Sequence, residues 1–221
     1  MPAEFRQLFQ THRELLESHR GYDPGALELA RSSARRLKAT LHFATVTRLL
    51  VELNRSPNHP ALFSVVSKSL TSVERASLLE KHYFPYRSRV EKEISQAVKR
   101  GRRVIHVSFH TFTPRMDGVV RNADVGLLYD PGRPGEAAFA ALFKQALAAR
   151  RPDLTIRKNY PYLGKSDGFT TSLRKKWGDT VYLGIELEVN QRWPLSDRRA
   201  WRSLQQAISE TAEETIARFS H

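Results

Sequence analysis

Two short runs in this sequence alternate apolar residues with side chains that can move protons or hold cations. In Val104-Ile105-His106-Val107-Ser108-Phe109-His110, two histidines and a serine are interleaved with Ile105, Val107 and Phe109. An extended chain turns successive side chains to opposite faces, so His106, Ser108 and His110 share one face of a strand. In Gly184-Ile185-Glu186-Leu187-Glu188-Val189-Asn190 the same period puts Glu186, Glu188 and Asn190 on one face and the apolar residues on the other. Two carboxylates side by side in an apolar strand are costly unless a metal, a cation or solvent meets them, which suits a general base or a ligand. An edge strand with a wet face explains them equally well. His110 stands at a strand end, where the active sites of α/β proteins gather, and a metal or catalytic role is expected for it. His106 fits a hydrogen-bonded structural histidine.

A third run, Arg48-Leu49-Leu50-Val51-Glu52-Leu53-Asn54-Arg55, frames apolar residues with two arginines and an asparagine. Planar guanidinium forks bind carboxylates bidentately, so this run suits an anion site, although surface arginines are the commoner outcome. Residues 160 to 168, YPYLGKSDG, form a long loop with breakers and aromatics, able to close over a substrate or simply to connect elements. Asp23 precedes Pro24 at the head of an amphipathic run and reads as a helix N-cap.

These residues need a scaffold, and the spacing supplies one. Helices are predicted over about residues 4 to 18 and 23 to 36, followed by a strand through LHFATV, a turning segment 48 to 55 and a loop at Ser56-Pro57-Asn58-His59-Pro60. A helical pair comes next, its second member starting near Pro85 and stopping at Gly101. The strands RVIHVSF, ADVGLLYD, LTIRK and TVYLGIELEV then alternate with helices near 135 to 149 and 170 to 177, and a last helix covers about 196 to 218. Such alternation predicts an α/β fold, a three-layer α/β/α sandwich with a mostly parallel or mixed sheet. Its ligands bind beyond the carboxyl ends of the strands.

The chain has 221 residues, 40% of them hydrophobic, enough for one domain spanning 1–221 with its own core. It contains no cysteine, so thiolate sites and disulfides are excluded and any transition metal must be held by His, Asp or Glu. No apolar run approaches the roughly 18 residues of a membrane helix, and the charged start MPAEFRQLFQ is unlike a signal peptide, which leads to the expectation of a soluble, cytoplasmic protein. The net charge of +13 meets the first test for a nucleic-acid binder. Its basic residues are nevertheless scattered among acids in helical segments such as RSRVEKEISQAVKR, with no recognised nucleic-acid motif, so a solvated basic surface is the expectation.

Taken in order, SHRGYDPGALELA, TRLLVELNRS, HVSFHTFTP, NADVGLLYDP, NYPYLGKSDGFTTSLR and GIELEVNQ resemble the N-formylglutamate amidohydrolase family over nearly the whole chain. The family is similar in design to aspartoacylase-type and carboxypeptidase-type zinc hydrolases, which implies a phosphorylase/hydrolase-like form of the sandwich. The resemblance implies a zinc ion held by two histidines and an acid, polarising the scissile carbonyl and activating water, with a glutamate as general base. It implies His110 as the later metal histidine and Asp23 as the acidic ligand. Glu188 would be the general base, with Glu186 as alternate, and Arg48 would stabilise the oxyanion. Asn54 and Arg55 would grip the carboxylates of the substrate, with Arg121 and Asn122 as further candidates for that pocket. Glu52 stands where the related motif usually has Asp.

One departure bears on the metal. Family members begin with a strand ending in a His-Gly motif of the EHGGN kind, followed by a segment resembling IPAEFR, and this sequence opens at Met1-Pro2-Ala3-Glu4-Phe5-Arg6. The expected site is therefore short of one ligand, and nothing in the sequence turns His19 inward to replace it. The expected activity is metal-dependent hydrolysis of a small N-acylated acidic amino acid, N-formyl-L-glutamate giving formate and L-glutamate. Two alternatives stand beside it: an inactive homologue that binds an acidic small molecule or partner, and a basic nucleic-acid-binding domain.

Overall fold

A computed structural model describes residues 2–219. The N-terminal segment is helical but mostly tighter than an α-helix: 3-10 turns at Ala3–Phe5 and Gln7–His12 lead into the short α1, Arg13–Glu17. The single helix expected over 4 to 18 is thus broken into pieces. Helix α2, Ala26–Leu37, starts later than its sequence signal, because Gly25 at φ 80° forms its N-cap and Asp23 makes no cap bond. The strand expected through LHFATV is absent; residues 39–45 have no regular structure. That composition favours extended backbone, but a strand also requires a neighbouring ladder.

The chain continues through α3 (Ser72–Leu78), a π turn (Leu79–Tyr83) and α4 (Phe84–Lys99), with Pro85 in its first turn. Strand β1, Val104–Phe112, leads to a small hairpin that the sequence did not signal, β2 (Arg115–Met116) with β3 (Val119–Val120). After it come β4 (Val125–Leu128), α5 (Pro134–Arg150), β5 (Ile156–Lys158), α6 (Phe169–Arg174), β6 (Tyr182–Asn190) and α7 (Arg198–Phe219).

The main sheet has the order β1-β6-β4-β5. Strand β6 runs parallel to β1 and antiparallel to β4, and β4 runs parallel to β5, so the sheet is mixed. All nine residues of β6 are buried. It is a central strand, and the wet-edge explanation of Glu186 and Glu188 is ruled out. The alternation read from sequence is present: Ile105, Val107 and Phe109 pack with Ile185, Leu187 and Val189 into the large core beneath α2, α5 and α7. On that side α7 buries Trp201, Leu204, Ile208 and Ala212, one stripe at helical spacing. Leu204 and Ile208 each contribute about 1.5–3 kcal/mol of burial.

The opposite face is covered by α4 and α6, where Val90, Ile94, Phe169 and Leu173 pack with Tyr182. This is the face that carries His106, Ser108, His110, Glu186 and Glu188. Among the described residues no helix is long and apolar enough to cross a membrane.

Candidate active site

Parallel pairing in register sets the centre of the site. His110 is the direct partner of Glu188, and Ser108 of Glu186, close to the carboxyl ends of both strands. Asp23 is brought to this point by its own loop: Thr111 Oγ1 donates to the Pro24 carbonyl at 2.9 Å, which pins that loop across β1. The Asp23 carboxylate then accepts from His110 Nδ1 at 2.7 Å. The segment carrying Arg48 is tied to the same loop, with Thr47 Oγ1 donating to the Gly21 carbonyl at 2.8 Å and the Arg48 amide at 3.1 Å. Arg48 Nη1 reaches the second Asp23 oxygen at 2.6 Å, while its Nε donates to Glu52. His110 Nε2 meets Ser108 Oγ at 3.0 Å.

Charge in this cluster is arranged in opposed pairs. Burial alone would discharge His110, but the Asp23 hydrogen bond and charge, helped by Glu188 and Glu186, raise it to about 9. Asp23 is held below the usual carboxylate range, burial being outweighed by the His110 hydrogen bond and the Arg48 charge. Arg48 is likewise held firmly charged, as Glu52 and Asp23 overcome its burial. Glu188 goes the other way: burial, with Asp23 and Glu186 adding to it, pushes its carboxyl up to about 7 against the pull of His110 and Arg48. Among the described residues its buried Oε2 has no hydrogen-bond partner. A carboxyl with a free oxygen and a value near neutrality can take or give a proton at neutral pH.

Glu186 is differently placed. Its Oε1 accepts from the Thr170 hydroxyl at the start of α6, a bond that ties the strand to the helix. His106 is a structural histidine: burial and nearby positive groups push it down to about 4, and its Nδ1 lies 2.8 Å from the Tyr182 hydroxyl. Burial also raises the Tyr182 phenol well above its ordinary range, so the hydroxyl keeps its proton and the pair is neutral.

The residues expected to grip a substrate carboxylate do not all join this cluster. Asn54 Oδ1 accepts from the Phe169 amide at 2.7 Å, and Arg55 Nη1 donates to the Asp167 carbonyl at 2.8 Å, so both clasp the 160s loop. Arg121 lies beyond the strand ends, its guanidinium 5.2 Å from the Tyr162 ring and 6.0 Å from Phe112, with its carbonyl bonded to Asn190. Asn122 and His19 are exposed.

Among the described residues no three His, Cys, Asp or Glu side chains are gathered to hold a metal ion. His110 and Asp23, the two ligands implied by resemblance, do stand together. Their donor atoms, however, are bonded to each other, to Ser108 and to Arg48. As they stand, these side chains do not fit a zinc ion.

A histidine and a set of carboxylates at the carboxyl ends of two parallel strands, within a mixed sheet covered by helices on both faces, define an α/β protein with a hydrolase-like site. The chain belongs to the N-formylglutamate amidohydrolase family, whose sequence model matches residues 1–193. That family comprises hydrolases acting on an amide bond. The chain is also similar to a solved structure, gene product Atu2144 from Agrobacterium tumefaciens, with 25% identity and a TM-score of 0.85 over 100% of this chain and 87% of that one. No curated protein matches the sequence.

Proposed function

We propose that this protein hydrolyses the amide bond of a small N-acylated acidic amino acid, with N-formyl-L-glutamate giving formate and L-glutamate. The supporting observation is Glu188: buried, in register with His110, with one carboxyl oxygen free and a value near 7. As the carboxylate it accepts a proton from water while the water oxygen attacks the formyl carbon. It then returns that proton to the departing amine, and the carbon–nitrogen bond breaks. Arg48 and the charged His110 supply the positive field in which the oxyanion forms, and Asp23 orients both.

Zinc is the cofactor that the resemblance implies, with His110 and Asp23 among its ligands; no step of this reading runs through it. Arg121, Asn122, Asn54 and Arg55 are the residues proposed to meet the carboxylates of the substrate, Asn54 and Arg55 at least partly by shaping the 160s loop. The lack of a third metal donor among the described residues favours a second reading, binding of an acidic small molecule without turnover.

Formate release from N-formyl-L-glutamate separates the two. The wild-type rate is expected to rise with pH through about 7, as Glu188 loses its proton. Glu188→Gln is expected to lose about 100-fold or more, and Glu186→Gln much less. Release that is absent from the wild type, or unchanged in Glu188→Gln, refutes the hydrolytic reading.

A further inference from the structure

A site for a small acidic substrate leaves most of the net charge of +13 unused, and the fold gathers part of that charge on one edge. On α4, Arg89, Lys92, Gln96 and Lys99 recur at helical spacing and are all exposed, opposite the buried stripe of Arg87, Val90 and Ile94. Arg100 follows at the helix end, also exposed. The sequence mixes acids into this run, but the structure engages both of those in α4. Glu91 accepts from Lys176 at 2.6 Å, and Glu93 accepts from the Thr40 hydroxyl at 3.4 Å. Among the described residues, Arg89, Lys92, Lys99 and Arg100 take part in no ion pair.

The Thr40 bond joins the end of α2, on one face of the sheet, to α4 on the other. The basic surface thereby continues along the outer side of β1, the end strand of the sheet. Arg35 and Lys38 stand exposed there, likewise in no ion pair among the described residues. One turn back on α2, the Arg31 guanidinium lies 5.1 Å from the ring centre of Phe43, which is 45% exposed. A cavity of about 690 Å³ opens between α2 and residues 39–41, with Arg31 and Arg35 in its wall and Leu27, Ala34 and Leu41 as its apolar lining. Glu28 in the same wall is held by the Trp201 indole at 3.1 Å.

A row of unpaired cations can track a phosphate backbone, and a half-open ring backed by a guanidinium offers a platform on which a base stacks. Stacking of that kind needs an unpaired base, which favours a single strand over a duplex. An anionic membrane would meet the charges but calls for a continuous apolar face, and α4 is polar at every exposed position from Arg89 to Lys99. We propose that the edge formed by α4 and the end of α2 binds single-stranded nucleic acid. Arg89, Lys92, Lys99 and Arg100 lie along its phosphates, and Phe43 stacks one base. Lys99 and Arg100 stand by the amino end of β1, the opposite end from His110, so this function does not rest on the hydrolytic reading.

Fluorescence anisotropy of the full chain tests it, with a labelled mixed-sequence oligoribonucleotide and the same sequence as DNA, titrated at rising salt. Four phosphate contacts give a slope of log K against log salt of about −3. Lys92→Gln combined with Lys99→Gln is expected to make that slope shallower by about 1.4. Phe43→Ala is expected to weaken binding about tenfold at every salt concentration and to leave the slope unchanged. Lys144→Gln combined with Arg150→Gln, which takes two charges from α5 on the other face of the sheet, is expected to leave the slope as in the wild type. Binding of either strand with these dependences upholds the proposal, and the preferred sugar identifies the natural strand.

No binding of either strand by the wild type overturns it. So does a slope no shallower in the α4 variant than in the α5 variant, or equal affinity in Phe43→Ala. If circular dichroism shows Phe43→Ala unfolded, Phe43→Leu decides, keeping apolar bulk without the ring, and unchanged affinity in that variant overturns the proposal. Tighter binding of the duplex of the same sequence, or capture by phosphatidylserine vesicles without oligonucleotide binding, also overturns it.

Discussion

Asp23→Asn keeps the shape of the side chain and removes the charge shared by His110 and Arg48. In the protein that carboxylate accepts at 2.7 Å from His110 Nδ1 and at 2.6 Å from Arg48 Nη1. Burial by itself would keep the imidazole neutral, and the bond to Asp23 reverses this, lifting His110 from 6.5 to about 9. At about 1.4 kcal/mol per pH unit, that rise corresponds to about 3 kcal/mol of folding stability. Because the folded value is the higher one, the contribution is fully present below pH 6.5 and is lost as pH rises through about 9. Glu188, lifted from 4.5 to about 7, causes its own loss at lower pH, so the His110 contribution is read from pH 7 upward. In Asp23→Asn burial dominates, and His110 is expected to titrate below its ordinary 6.5. The variant should lose about 3 kcal/mol near neutral pH, in keeping with the cost of breaking a buried ion pair. The decline in stability between pH 7 and about 9 should flatten. Proton NMR titration of the His110 ring, with urea unfolding at each end of that range, measures both effects. A ring that still titrates near 9 in the variant refutes the argument.

Two further perturbations probe the scaffold. Glu136 is wholly buried and accepts from Arg133 Nε at 3.0 Å, Arg174 Nε at 2.9 Å and the amides of Gly184 and Asp130. Glu136→Gln leaves Arg174 without its acid and Arg133 with only Asp179 at 3.6 Å, and should cost about 3–5 kcal/mol in urea unfolding; a cost under about 1 kcal/mol refutes that role. At Gly126 an added Cβ would stand 1.8 Å from the Tyr160 carbonyl oxygen, so Gly126→Ala should drive the 160s loop off the sheet. Faster hydrogen exchange across residues 159–168 is the expected result, and an unchanged pattern contradicts the packing argument.

The parts of the site that lie on strands were legible because a period of two needs only local information. His110 and Glu188 fell on the polar faces of their runs, and the structure keeps those faces, with the two residues as direct partners. What the sequence could not supply was the neighbour of each strand. The same acids were compatible with an edge or a central strand, and only the placement of β6 between β1 and β4 decides this. The LHFATV run failed for a related reason: β propensity is local, but a ladder requires a partner, and residues 39–45 pair with none in the sheet. Asp23 looked sufficiently explained as a cap, yet Gly25 takes that position and leaves the carboxylate for His110 and Arg48.

Arg87 marks a different limit. It passed as one more basic residue in a charged helix, although its spacing to Val90 and Ile94, three and seven residues on, places it on their buried stripe. Periodicity was thus enough to show that Arg87 points inward, but not what would neutralise it. Its acceptors, the carbonyls of Leu53 and Arg55, come from a turning segment more than thirty residues away, within a run read for its side chains alone. Asn54 and Arg55 likewise tie down distant backbone, and their bonds to the Phe169 amide and the Asp167 carbonyl span more than a hundred residues, beyond the reach of local periodicity. A basic residue on an apolar helical stripe is therefore better treated as a buried tie to distant backbone, as Arg87 is to the turning segment, than as part of a solvated surface.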